Sequence, residues 1–133
     1  MKYTPHPNDV EIRKALDAVP TDGGELWNST CNPKIVMHVG GRGPLSGNLK
    51  GLDAVNAWVG RLVRECSGTW KDGEILELIA SADSAFRRSK YRAKRGKRVI
   101  EGRFLQVMRL RRGKIVEIWL SSWDQYGFDK FWS

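Results

Sequence analysis

Scarcity narrows this chain before any motif does. Cys31 and Cys66 are its two cysteines and show no metal-type spacing, so neither a disulfide framework nor a zinc motif is indicated. The expectation is two free thiols in a reducing cytoplasm. No stretch approaches about 18 uninterrupted apolar residues, which speaks against a membrane-spanning helix. The opening MKYTPHPNDVEIRK contains no apolar h-region, so nothing in it marks the chain for secretion. Repeats, low-complexity tracts and linker-like stretches are absent, and residues 1–133 are expected to form one domain. His6 and His38 are the two histidines, which leaves few places for imidazole chemistry. Acid is scarcest where base is densest: from Arg87 to Lys114 thirteen basic residues accompany one acid, Glu101.

What remains is ordinary globular material, 41% apolar and 29% charged, with a net charge of +8. A basic stretch of that density attracts polyanions: nucleic acid, CoA-type or phosphorylated substrates, or an acidic acyl carrier. The alternative is a solvated sheet face. Only Tyr91 interleaves the Arg87–Arg98 part, too few aromatics for base-stacking platforms, so nucleic-acid binding ranks last among the functional readings.

Helical spacing dominates the first half. Asn8 followed by Glu11 resembles a capping box ahead of Ile12, Leu16 and Val19, with Pro20 as the stop. Asp22 and Glu25 repeat that signal for a short second helix through Leu26, Trp27 and Cys31. Lys34–Val39 reads as a strand and GGRGPLSGNLKG as an irregular loop. A third helix is predicted over Leu52–Cys66, with Leu52, Val55, Val59, Leu62, Val63 and Cys66 on one stripe. From Gly73 the period becomes two. Glu74–Ala82, Ala85–Lys94, Arg98–Arg111 and Lys114–Trp123 read as four strands joined by hairpin-length turns. The expected class is α+β, three N-terminal helices covering one face of a curved antiparallel sheet.

Face parity places the candidate site residues. Val116, Ile118 and Leu120 share the covered face of the last strand, and Ser122 and Asp124 continue it, so that face turns polar as a pocket mouth would. Gln106 is the polar member among Ile100, Phe104, Met108 and Leu110. Ala85, Ser89, Tyr91 and Ala93 are assigned inward, Phe86 and Arg88 outward. Trp119 and Trp123 take the outer face, where two tryptophans suggest a subunit interface. Trp27, Trp58, Tyr91 and Tyr126 are candidate pocket walls, with core packing the competing reading for Trp58. Trp70 reads as a loop anchor, and Glu117 and Asp129 as exposed. Phe128, Phe131 and Trp132 form either a clasp over the pocket or a dimer contact.

The loop HVGGRGPLSGNLKGLDAV before the third helix and the ending RRGKIVEIWLSSWDQYGFDKFW resemble the SnoaL-like polyketide cyclase branch of the nuclear transport factor 2-like superfamily. The shared features are a Gly113-Lys114-Ile115 turn, Glu117 and Trp119 on the last strand, and Asp124 five residues after that tryptophan. The resemblance implies a cone-shaped sheet around a deep apolar pocket, a homodimer, and chemistry without metal or organic cofactor. It implies Asp124 as acid/base and His38 as a partner lining the cavity. The superfamily holds enzymes and non-enzymes alike.

Two functions follow. One is a cofactor-free cyclase or isomerase acting on a hydrophobic carbonyl compound, with Asp124 moving a proton and His38 or Tyr91 receiving the enolate. The other is a non-catalytic domain that holds an apolar ligand. Asp124 has a structural alternative as a helix cap, and His38 one as a satisfied structural histidine.

Overall fold

The computed structural model describes residues 4–133. Helices α1 (Pro7–Asp22) and α2 (Glu25–Thr30) precede strands β1 (Cys31–Val39) and β2 (Gly47–Lys50) and helix α3 (Leu52–Glu65). Strands β3 (Lys71–Ala80), β4 (Ser84–Arg95), β5 (Arg98–Arg111) and β6 (Lys114–Ser122) then form the meander, and α4 (Gln125–Trp132) ends the chain. The curved sheet is open, in the order β2-β1-β6-β5-β4-β3. It is mixed rather than wholly antiparallel, because β1 runs parallel to β6. The intervening β2, α3 and meander supply the long crossover that a parallel pair requires.

The N-cap of helix α1 lies two residues earlier than expected. His6 is the N-cap, and its Nδ1 accepts from the Asn8 amide at 3.0 Å. The Asn8 side chain instead reaches across to the carbonyls of Ser81 and Ala82. Pro20 lies inside the last turn, where its missing N–H costs a single bond. Gly23, in the left-handed region at φ 69°, closes the helix with a bond to Val19 O. Asp22 then accepts from the Gly24 and Leu26 amides, as its place ahead of α2 suggests. These two N–H groups hold its carboxyl pKa below the usual aspartate value.

The glycine-rich loop contains β2, which pairs antiparallel with β1 from Val36–Lys50 to Val39–Gly47. Its four residues have no strand signature of their own, and the unpaired edge of β1 makes them a strand. The remaining loop is a pinned connection. A Cβ on Gly41 would stand 2.4 Å from Asp129 and Gln125 side-chain atoms, and Asp129 accepts from the Arg42 amide at 2.8 Å. Asp129, expected to be exposed, therefore ties this loop to α4.

Strand alternation sets the inner face. Cross-strand pairing builds one inward row, Leu78–Arg87–Gln106–Leu120–Val39, and the next, Ala85–Met108–Ile118–Met37. A bulge opposite Arg109/Leu110 shifts the start of β6, so Ile115 is buried and Val116 half-buried, reversing the expected parity there.

At one end of the concave face the inner residues are packed solid. Tyr91 stacks on Phe104 at 4.3 Å, and Phe128 meets Tyr91 edge-on at 5.9 Å. Phe128, Phe131 and Trp132 are all buried, so the tail is a clasp and its rings belong to the core. Arg95 fastens it, donating to Phe131 O at 2.7 Å and lying 5.5 Å over the Trp132 ring. Removing one such ring leaves a void, and Phe128→Ala should cost about 3–5 kcal/mol in chemical denaturation. A loss below about 1 kcal/mol would show that α4 is not part of the cooperative core.

Candidate functional site: a tryptophan-walled cavity with an Arg–Gln floor

Where the aromatic clasp ends, α1, α2 and α3 stand off the sheet and enclose a cavity of about 510 Å³, within the range of small-ligand sites. Trp27 reaches it from α2, Trp58 from α3, and Trp70 from the segment entering β3. Phe104, Met37 and Leu120 contribute from the sheet, and Val55 and Leu62 from α3. Trp58 is fixed by its indole N–H, which donates to Leu45 O at 2.9 Å. Trp70 stacks on Tyr91 at 5.2 Å with planes 16° apart, so the cavity wall is continuous with the clasp. At the rim Asn56 donates to Asn28 Oδ1 at 3.2 Å, joining α3 to α2.

Two polar side chains form the floor. Arg87 and Gln106 are directly paired residues of β4 and β5, and Arg87 Nη1 donates to Gln106 Oε1 at 2.9 Å. Arg87 is 6% exposed, and its guanidinium offers donors only. Its position follows from alternation, which puts residue 87 between the inward Ala85 and Ser89. The signal was in the parity, but a basic residue in a basic run reads naturally as solvated. Trp70 was missed as a wall for a related reason, since one aromatic outside any periodic segment carries no facing information.

The expected site residues separate. Trp27, Trp58 and Gln106 line the cavity. Tyr91 and Ser122 are buried beside it and bonded to each other at 2.8 Å, part of the solid end rather than a free hydroxyl pair. Burial raises the Tyr91 pKa, partly offset by the Ser122 bond and added to by the nearby Asp124 charge. Tyr126 is 77% exposed and lies away from the cavity.

Asp124 is exposed and is the N-cap of α4, with Oδ1 accepting from the Gly127 amide at 3.0 Å. The strand ends at Ser122 and the chain turns outward, so parity no longer governs position 124. The cap needs glycine at 127, where a Cβ would lie 2.3 Å from the Asp124 carboxylate.

His38 lies on the outer face of β1, because Ile35, Met37 and Val39 take the core side. Its Nε2 meets Glu117 Oε2 at 2.6 Å, its Nδ1 meets Asn48 Oδ1 at 2.8 Å, and its ring stacks on Trp119. Glu117, expected to be exposed, is held between His38 and Arg109. Among the described residues, no carboxylate, imidazole or thiol lines the cavity, and no group of acidic, histidine and cysteine side chains could hold a metal.

Four of the thirteen basic residues of the run pair with carboxylates across strands, in Arg88–Glu77, Lys90–Glu74, Arg92–Glu101 and Arg109–Glu117. These carboxylates dilute any track for a polyanion. Cys31 and Cys66 are buried and free, and burial pushes the Cys31 thiol up to about 12. No helix among the described residues is long and apolar enough to cross a membrane.

Architecture and cavity together define a class: the nuclear transport factor 2-like, cystatin-like α+β fold, shared with proteins described as SnoaL-like. Bal32a, from a soil-derived mobile gene cassette, matches with TM-score 0.85 and 24% identity over 95% of this chain and 96% of its own. A cystatin-fold protein of unknown function from Xanthomonas campestris matches with TM-score 0.82 and 25% identity, over 95% and 98% of the two chains. A protein described as a SnoaL-like polyketide cyclase, from Jannaschia sp. CCS1, matches with TM-score 0.76 and 10% identity over 99% and 98%. No family model and no curated protein matches the sequence.

Two predictions test these placements. Asp124→Ala should lower stability by about 1 kcal/mol, the usual cost of a lost N-cap, while leaving ligand affinity in the cavity unchanged; a large loss of affinity would return Asp124 to the site. The His38 pKa is raised above the ordinary histidine value, first by the Glu117 bond and then by Asn48. Such a group stabilises the fold below its unfolded pKa, and that contribution is lost as pH rises through the folded pKa. Between about pH 6 and about pH 8.5, the melting temperature of the native protein should therefore fall relative to His38→Gln. Parallel profiles for the two proteins would show that the pair contributes nothing.

Proposed function

We propose that this protein binds a hydrophobic, ring-containing small molecule in the cavity beneath α1–α3, with an oxygen acceptor of the ligand on Arg87 and Gln106. The supporting observation is the juxtaposition of tryptophan walls with a buried donor pair on an otherwise apolar floor. Apolar walls with a few fixed polar groups are how small-molecule sites orient a ligand. For a bound carbonyl the two donors offer polarisation, stabilising negative charge on oxygen. Binding is the leading reading, because among the described residues no side chain lining the cavity is suited to remove a proton from carbon.

A cyclase- or isomerase-type conversion of a carbonyl substrate is the second reading. It is favoured by the fold neighbour described as a polyketide cyclase and by the same donors, which would hold an enolate oxygen. Incubation with polycyclic ketones followed by mass spectrometry and chromatography separates the two readings: unchanged recovery supports binding alone, a rearranged or cyclised product supports turnover.

The cavity is tested first with the apolar dye anilinonaphthalene sulfonate. The native protein should enhance its fluorescence saturably, and Val55→Phe, which fills the cavity from α3, should weaken binding by about tenfold or more at unchanged fold. Equal binding by both proteins would place the dye elsewhere and refute the cavity as the site.

We also infer that a second copy of the chain covers the outer sheet face. Trp119, Trp123 and Val107 are 43%, 64% and 47% exposed there, an apolar surface that isolated soluble chains rarely leave to water. Sedimentation should show a dimer that Trp119→Glu together with Trp123→Glu converts to a folded monomer. A native monomer at micromolar concentration would refute the inference.

A further inference from the structure

We propose that ligands reach this cavity through a slot between α1 and α3, and that Gly60 keeps the slot wide enough for a flat, fused-ring molecule. The inference rests on the reading of the cavity as a ligand site and names its entrance and the breadth of molecule it admits.

The exposure of the lining residues marks the opening. Val55, Trp58 and Leu62 are buried, on the flank of α3 that faces the sheet. Asn56 and Val59 line the cavity too but are exposed, as are Val19 on α1 and Gly23 in the turn before α2. Val19 and Val59 are 39% and 43% exposed, so solvent reaches the cavity between these two helices. Helix α1 packs on α2 and β3, and α3 on β1 and β2, which seats them over different parts of the sheet. The Asn56–Asn28 bond crosses on the α2 side.

The decisive residue at this mouth is Gly60. Asn56, Val59 and Gly60 follow the i, i+3, i+4 spacing of one helix flank, and all three line the cavity. A glycine inside a helix destabilises it relative to alanine, because its backbone loses more freedom on folding. Local structure gives no reason for this one. It lies within α3 and outside the left-handed region. Beyond its own helix backbone, an added Cβ would meet only Arg64 Nη1, at 3.3 Å, the movable tip of a long side chain. A larger side chain at 60 would lean toward the helix N-terminus, over Asn56, and so across the mouth.

The interior sets what must pass. Trp27, Trp58, Trp70 and Phe104 offer flat faces, which favour ring systems, and about 510 Å³ has room for fused rings. Such a molecule is rigid and cannot thread a narrow opening as an alkyl chain can. Width at the mouth therefore matches breadth inside.

The experiment is stopped-flow tryptophan fluorescence of the full chain with two neutral ketones, acetophenone with a single ring and acetylnaphthalene with two fused rings. Gly60→Leu should slow association of acetylnaphthalene by about tenfold or more and its dissociation by the same factor, leaving Kd within about threefold. Both rates for acetophenone should stay within about threefold of the native protein. Gly60→Ala should raise the melting temperature by roughly 2–5 °C; a lowered one would show that the fold requires this glycine and overturn the proposal. Val19→Phe narrows the slot from α1, should slow the same probe, and carries the test if Gly60→Leu fails to fold.

Unchanged acetylnaphthalene rates in these two variants would overturn the entrance and leave the cavity standing. A weakened Kd at an unchanged association rate would place residue 60 against the bound ligand instead of in its path, and also overturn it. Binding of neither ketone by the native protein would instead sink the cavity reading itself.

Discussion

The interaction on which the rest depends is the stacking of Tyr91, Phe104 and Phe128 beneath α4. A curved sheet covered by helices has more concave face than three short helices can fill, and something must decide which part is solid. The C-terminal rings fill one end and Arg95 holds them there. Trp70 and Phe104 belong to both regions, so the clasp is also the back wall of the cavity. The tryptophan-walled cavity lies where α1, α2 and α3 bridge above β1, β4, β5 and β6.

That division changes which residues can meet a ligand. The end of β6 is the obvious place for chemistry in the linear chain, because polar residues there follow an apolar strand. In the folded chain it is the filled end, with Ser122 bonded to Tyr91 and Asp124 turned out as a cap. The polar groups that reach the open end come from the middle of β4 and β5. There Arg87 costs solvation on burial and recovers part of it by bonding Gln106. The outer face has its own polar cluster, His38 with Glu117, Asn48 and Arg109 beside Trp119, separated from the cavity by the sheet.

Local patterns carried much of the fold. Period-two alternation located β4 and β5 almost to the residue and assigned Gln106, Phe104 and Met108 to the inner face correctly. The apolar stripe of α3 ended within one residue of its observed end. Failures came where a partner decides the outcome. β2 exists because β1 offers an edge, Ile115 replaces Val116 inside because of a bulge against β5, and His6 takes the cap because its ring reaches Asn8 N. Asp129 and Glu117 were read as solvated, since no local pattern reveals a carboxylate bonded to a loop amide or a distant histidine.

The sequence alone determined the order of helices and strands and the sides on which most strand residues lie. Those properties follow from backbone geometry and hydrophobic period, which are local. Tertiary structure decided whether the enclosed face would be filled or hollow, and therefore that Arg87 and not Asp124 meets the cavity. That outcome depends on how side chains from seven separate elements share one volume, and no spacing along the chain encodes a volume.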